Sequence, residues 1–453
     1  MGPLVILLIL LLTLIITLRH NAATAFAMMF FPSLLLMFTV RPFPLPGLPD
    51  MGSTTAVVYG ILFGLAIKGG EPFPVRWGII DTLVVLLGSA TVITALTTES
   101  WYTGVSATGD QVLHFVGPYM LARIAFNSAP ARRAVLWSCV VCAIVIGFVA
   151  LIELRVIPMI YGRTLRPLGL YSGHVTMVLH RFGLFRTQTS FSHPIDMGNT
   201  CLLLAGLITL LATTTQVGLK NLYVRAAVCA SLLGLATSMS FTSYIGAMAA
   251  AGTFGTLMVM PYLGRLLPAA MMLAIIGGFT ISFSLKNMQT DHDWRPEATL
   301  ENSLLMRAVI VQRSWPFVED AGLFGYGATI RKSQLDLDSV DNSYVLFIMR
   351  RGWVYLTLFL TLAMVFAVRA SRAYAVAYTP QQRLPLTTAV AAIIGTLVAM
   401  YTVWFGFAYA ALWMVMLGMS VSMLDTLLGV RPVVSAAAAR NRAMPPLTPV
   451  GSY

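Results

Sequence analysis

Residues 340–356 read VDNSYVLFIMRRGWVYL. Two polar residues, Asp341 and Asn342, open the run. Continued to residue 368, the apolar remainder is long enough to be a helix across a bilayer. Only 10% of the chain is charged, so a carboxylate at the mouth of such a helix needs a physical reason. Asp and Asn favour helix N-caps, and negative charge suits the positive end of the helix dipole. The same position also points a carboxylate out of the helix end with lone pairs to spare. A cap and a chemical role are both open at Asp341.

Working outward, 58% of the 453 residues are hydrophobic and the mean hydropathy is +0.81. That composition belongs to polytopic membrane proteins. The expected class is all-α, with about 12–13 transmembrane helices of roughly 20 residues each. Spans are expected near 2–18, 22–40, 55–67, 79–97, 111–127, 134–157, 194–215, 226–241, 242–263, 266–285, 342–368, 386–403 and 407–428. Residues 1–430 then form one transmembrane domain, and the Ala- and Pro-rich 431–453 a disordered cytoplasmic tail. The first run has no basic n-region and no small-residue cleavage site, so it reads as a retained helix. Cys139, Cys142, Cys201 and Cys229 all fall in apolar runs, which favours packing over disulfide or redox chemistry. The net charge of +12 forms no continuous stripe, which argues against nucleic acid.

The basic residues set an orientation instead. Arg132 and Arg133, Lys220 and Arg225, Arg265, then Arg369, Arg372 and Arg383 fall on alternate connections, as do Arg431, Arg440 and Arg442. The positive-inside rule makes that side cytoplasmic. The loop 98–110, with Glu99 and Asp110, and two long connections, 158–193 and 286–340, then face outward.

The first long loop breaks the charge rule. From Leu154 to Ile195 there is no Asp or Glu, yet Arg155, Arg163, Arg166, Arg181 and Arg186 are present, with three of the six histidines. Arginine binds phosphate oxygens through a fork of N–H donors. Contact with anionic lipid headgroups is the plainer use of the same charge. The second loop, 286–341, carries nine of the seventeen acids. Within it, 302–318 reads as a helix lying on the membrane face and ended with help from Pro316. Arg307 and Arg313, six residues apart, would point about 120° apart on it. GLFGYG, 322–327, reads as a tight turn.

Three stretches together resemble the O-antigen ligase and Wzy polymerase superfamily. RFGLFRTQTSFSHPIDMG (181–198) is similar to its Arg…Phe…Pro…Gly segment. LLMRAVIVQRSWPFVEDAGLFGYG (304–327) is similar to its Arg, apolar helix, Pro and Gly-x-Gly segment. VDNSYVLFIMRRGWVYL is similar to its His-Asn-x-Tyr-Leu…Gly signature. The motifs cover about residues 180–360. The resemblance implies a membrane glycosyltransferase of the C-type fold, using neither metal nor other cofactor. Such enzymes take a glycan from undecaprenyl diphosphate and join it to an acceptor glycan hydroxyl at the periplasmic face. A flippase and a chain-length regulator are the protein partners it suggests. By that resemblance Arg181 and Arg307 bind the diphosphate, with Arg186 and Arg313 as further candidates.

Asp341 stands where ligases keep a histidine, which points to a polymerase of exopolysaccharide or O-antigen repeat units. A ligase acting on lipid A core or on protein is the alternative, and a polysaccharide transporter or flippase a further one. TSMSFTSYIGAM (237–248) lacks the family's Ser-Arg-Gly, so no role is carried there. As catalyst, Asp341 would accept the acceptor's proton. His193 is the rival base, with Asp196 within one turn to orient it; an ordinary interfacial histidine is the simpler outcome. Asn342 and Tyr344 are candidate sugar contacts, Tyr344 equally an interfacial anchor. Asp336, Asp338 and Asp341 contain hard oxygen ligands, but a solvated acidic loop accounts for them, and no metal is expected. A repeat-built carrier would show duplicated halves and midplane ionisable residues. Only Asp81, His114 and Asp425 are candidates, and neither long loop has a counterpart earlier in the chain.

Overall fold

The computed structural model describes residues 2–37, 40, 42–43, 50–70, 75–168, 170, 180–181, 183–286, 300–327, 342–401 and 407–429, without the side chains of 180, 281, 285, 300–307 and 407. Among them the architecture is a helical membrane bundle. Eight helices are long and apolar enough to cross a bilayer. These are α1 (Gly2–Arg19), α4 (Ile79–Thr98), α6 (Ala129–Arg155), α8 (Pro194–Thr214), α11 (Leu267–Lys286), α13 (Ser343–Val376), α14 (Pro380–Ala399) and α15 (Phe407–Leu427). Three shorter apolar helices, α2 (Ala22–Leu35), α3 (Ser53–Ile67) and α9 (Leu222–Thr237), lie among them. The helix α10 (Phe241–Val259) and a bent run, α5, complete the set. In α5, Trp101–Gln111 passes through a π-turn, Val112–Val116, into Gly117–Asn127. Outside the bundle lie a short helix α7 (Ile160–Leu165), a two-stranded hairpin β1 (His180–Arg181) with β2 (Leu184–Phe185), and α12 (Leu300–Glu319).

In lipid, helices gain little from burying apolar side chains against each other, so close packing through small residues has to hold them. Gly60 and Gly64 of α3 face Thr13 and Thr17 of α1 so closely that an added Cβ would lie 2.6–2.8 Å from those side chains. Both hydroxyls are satisfied within α1, on Ile9 O at 2.7 Å and Thr13 O at 2.8 Å. Gly246 of α10 and Gly395 of α14 meet in the same way, over Ala399 and Ala250.

Hydrogen bonds fix which connections share an end. Lys68 Nζ donates to His20 O at 2.9 Å, and Ser371 Oγ to Arg265 O at 2.9 Å. Arg123 Nη2 also donates to Arg76 O at 3.4 Å, Arg123 and Arg369 share Asp425, and the Trp137 and Tyr223 rings lie 6.3 Å apart. The loops carrying Lys68, Arg76, Arg132, Arg133, Lys220, Arg225 and Arg265 therefore lie at one end, the basic end. At the opposite end Ser190 Oγ donates to Leu35 O, and Ser343 N to Met400 O at 2.9 Å.

Three expectations about where helices begin, end or break change. Residues 101–110, expected in a loop, are helical: Ser100 caps them by accepting from Thr103 N at 3.2 Å, and Gly104 lets the turn pack onto Leu96 of α4. Their polar composition hid the helix. Pro316, expected to help end its helix, lies inside α12, which runs on to Glu319. The third change concerns α13 and shapes the candidate site.

Candidate functional site

Read as one helix, residues 343–376 would carry Tyr344 and Phe359 about 22 Å apart along the axis. Their ring centroids are 6.3 Å apart, and those of Phe347 and Tyr355 are 5.0 Å apart. The chain therefore folds back on itself. The turn is Gly352, at φ 76° and ψ 179°, a region that only glycine occupies readily. Residues 343–351 form a half-helix antiparallel to the start of the main span, which runs from 353 to 376. The expected span of 342–368 is thus a half-helix folded back on a longer span.

Breaking a helix strands carbonyls on one side and N–H groups on the other. The GLFGYG loop satisfies both. Tyr326 N donates to Met349 O at 2.8 Å and Gly327 N to Arg350 O at 3.0 Å. Trp353 N donates to Gly322 O at 3.3 Å and Val354 N to Leu323 O at 3.2 Å. Irregular backbone near a bilayer persists only when paired in this way. The loop is that close because Gly352 has no side chain: a Cβ there would lie 2.0 Å from Leu323 O.

Asn342, not Asp341, caps the half-helix. Its Oδ1 accepts from Tyr344 N at 3.1 Å and Val345 N at 3.2 Å, and the residue is buried. Two adjacent cap-forming residues left the register ambiguous in the sequence, and the cap reading of Asp341 is corrected. Asp341 itself lies outside the described residues. Tyr344 is buried, with its hydroxyl donating to Leu397 O at 2.8 Å and its ring against Tyr401. It lines an apolar crevice with Met271, Ile275, Ile394 and Tyr401. It is therefore neither an interfacial anchor nor, in this arrangement, open to a sugar.

Arg181 and Arg186 come together on the β-hairpin. Both donate to backbone carbonyls at the turn between α9 and α10: Arg181 Nη1 to Met239 O at 2.7 Å, Arg186 Nε to Ser238 O at 3.1 Å. These carbonyls belong to the end of α9, where cations suit the helix dipole. Neither arginine forms an ion pair among the described residues. Burial and the neighbouring Arg181 charge push the Arg186 guanidinium down to about 10.

Glu153, fully buried in the last turn of α6, anchors this loop. Its Oε1 accepts from Ile160 N at 2.9 Å, and its Oε2 from Gln188 N at 3.0 Å and Thr189 N at 2.8 Å. Thr187 is tied to the end of α9 through Thr237, hydroxyl to hydroxyl, at 2.8 Å.

His193 caps α8. Its Nδ1 accepts from Ile195 N at 3.2 Å, which requires the proton on Nε2. A cap of this kind is a poor general base, because the Nδ1 lone pair is taken by the backbone N–H and Nε2 already carries hydrogen. Asp196 accepts from Ser192 Oγ at 3.3 Å and bears electrostatically on Tyr409. Gly198 abuts Ser238 and Ser243, so the first turns of α8 join the arginine turn to the tyrosines around the half-helix. Arg313 is exposed on α12, and the Arg307 side chain lies outside the described residues. The arrangement brings Arg181 beside Arg186 and sets His193, Asn342 and Tyr344 at the same end of the bundle.

Sequence reasoning missed Glu153, Arg350 and Arg351. Glu153 had a signal, as a single acid in an otherwise apolar run. The two arginines fall inside 340–356, directly before Gly352. No group of three His, Cys, Asp or Glu side chains that could hold a metal occurs among the described residues. Cys139, Cys142 and Cys201 are buried, Cys229 is exposed, and all four are free thiols.

The basic end has a different character. Arg123 pairs with Asp81 and Asp425, and Arg369 with Asp425. Tyr119 Oη donates to Asp81 at 2.8 Å, and Asp81 Oδ2 accepts from Gly78 N at 2.7 Å. Two of the ionisable residues that a transporter reading singles out are thus held in a compensated network joining α4, α5, α13 and α15. No family model matches the chain, and no curated protein matches it.

Proposed function

We propose that the chain is a membrane glycosyltransferase that joins lipid-diphosphate-linked oligosaccharide repeat units, acting at the end of the bundle opposite the basic loops. By the positive-inside rule that end faces the periplasm of a bacterial inner membrane. The observation that carries the reading is the Arg181–Arg186 pair: two adjacent guanidinium groups held by backbone carbonyls and without a carboxylate among the described residues. Such a pair suits a diphosphate, whose negative charge grows as it leaves the anomeric carbon.

In the proposed reaction, an acceptor hydroxyl oxygen bonds to the anomeric carbon while the bond from that carbon to the phosphate oxygen breaks. The electron pair leaves with the lipid diphosphate, and the hydroxyl proton passes to a base. Asp341 is the proposed base; the cap geometry of His193 supports that choice over the imidazole. The preference for polymerase over ligase rests on Asp341 where ligases carry histidine.

In cells, Arg181→Gln and Arg186→Gln together should leave single repeats on the lipid carrier and abolish longer chains. Long chains at wild-type abundance would overturn the reading.

A further inference from the structure

Arg350 and Arg351 end the half-helix at the turn of the α13 hairpin. A helix C-terminus explains why cations are tolerated there, but it gives their side chains no partner. Arg351 has surroundings of its own. Its guanidinium lies 4.5 Å from the Tyr355 ring centroid, and its charge is felt at Asp110, which in turn lies 3.8 Å from His114.

Arg350 does not. It is half-buried, and its Nε is enclosed with no hydrogen-bond partner among the described residues. At the basic end Arg132 Nε is bare too, but that guanidinium lies over the Phe126 ring, 5.1 Å from its centroid. A buried donor on a charged group is expensive to leave unpaired. The local backbone offers little room to relieve it, because four hydrogen bonds to the GLFGYG loop hold residues 349–354.

We infer that Arg350, with Arg351 beside it, forms a seat for a phosphate oxyanion at the hairpin turn, separate from the Arg181–Arg186 pair. The fork geometry of arginine matches two phosphate oxygens, and occupancy would give Nε the acceptor it lacks. The seat does not depend on glycan transfer. The same chemistry is presented by a phospholipid headgroup and by a free or lipid-linked diphosphate.

The test uses the full chain in nanodiscs of phosphatidylcholine, titrated with inorganic pyrophosphate and followed by phosphorus NMR. Arg350→Gln should weaken one class of site about ten- to hundredfold, the usual effect of losing a charge-assisted hydrogen bond. Arg350→Lys, which keeps the charge and loses the fork, should fall between; it decides the matter if Arg350→Gln does not fold. Arg186→Gln should leave this class unchanged. Adding phosphatidylglycerol to the discs identifies the source. Competition in the wild type that Arg350→Gln removes assigns the seat to headgroups; no competition assigns it to a free or lipid-linked diphosphate. If Arg350→Gln and Arg350→Lys bind pyrophosphate and respond to phosphatidylglycerol as the wild type does, the seat does not exist.

Discussion

Gly352→Ala is the sharpest perturbation of the hairpin. At φ 76° and ψ 179°, an L-alanine costs about 1–3 kcal/mol in backbone strain. Its Cβ would also stand 2.0 Å from Leu323 O, a backbone atom with no rotamer to yield. The loop would have to withdraw, releasing the bonds from Trp353 N and Val354 N, at about 0.5–1.5 kcal/mol each. Together the hairpin loses about 2–6 kcal/mol of local stability. Hydrogen exchange reads this directly, since local opening sets the rate for protected amides. At about 1.4 kcal/mol per factor of ten, exchange at Tyr326, Gly327, Trp353 and Val354 should quicken about 30- to 20,000-fold. Gly252→Ala is the control: it lies within α10 with nothing inside 4 Å of the new Cβ, and should leave those amides unaltered. Exchange in Gly352→Ala within threefold of wild type would refute the fold-back stitched by the loop.

Three further expectations concern other parts of the bundle. Arg123→Leu leaves Asp81 buried without its cation, and loss of one partner of a buried pair costs about 3–5 kcal/mol; thermal unfolding in a fixed detergent should fall sharply, and an unchanged midpoint would contradict a structural role for the network. Glu153→Gln turns one acceptor oxygen into a donor, so the pair of N–H groups at Gln188 and Thr189 loses its carboxylate, at about 1.5–3 kcal/mol per bond; proteolysis within 186–193 should rise, and wild-type resistance would show that the loop is held elsewhere. The third is pH dependence. Burial and Arg181 depress the Arg186 guanidinium to about 10, so the protonated form is disfavoured in the folded protein. A bound phosphate needs that form, so pyrophosphate affinity at this pair should fall as the pH rises through about 10. Arg181→Gln should move the fall to higher pH; an unmoved profile would show that the two arginines do not interact.

Much of the fold is legible in the sequence because lipid imposes it. Each span needs about 20 apolar residues, and basic loops alternate with others. The paired halves of the hairpin are not legible, since LFIMRRGWVYLTLF is apolar on both sides of Arg350 and Arg351 and nothing in it marks a reversal of direction. Only Gly352, with the glycines of 322–327 to meet it, marks the turn. The site is less legible still. Arg181 and Arg186 stand out by charge, but their carbonyl partners at 238 and 239 lie more than fifty residues on. Asp81, Arg123 and Asp425 look like separate intramembrane charges until folding brings α4, α5 and α15 together.

The most direct test of the proposed function is transfer by the purified chain in nanodiscs, with a polyprenyl-diphosphate-linked repeat unit as sole substrate and the products weighed by mass spectrometry. Repeat doubling on one lipid, with one polyprenyl diphosphate released for each new glycosidic bond, is the predicted result, and it should vanish in Arg181→Gln/Arg186→Gln. A folded protein that leaves the substrate intact, or that doubles it equally well without those arginines, would contradict the proposed role of this end of the bundle.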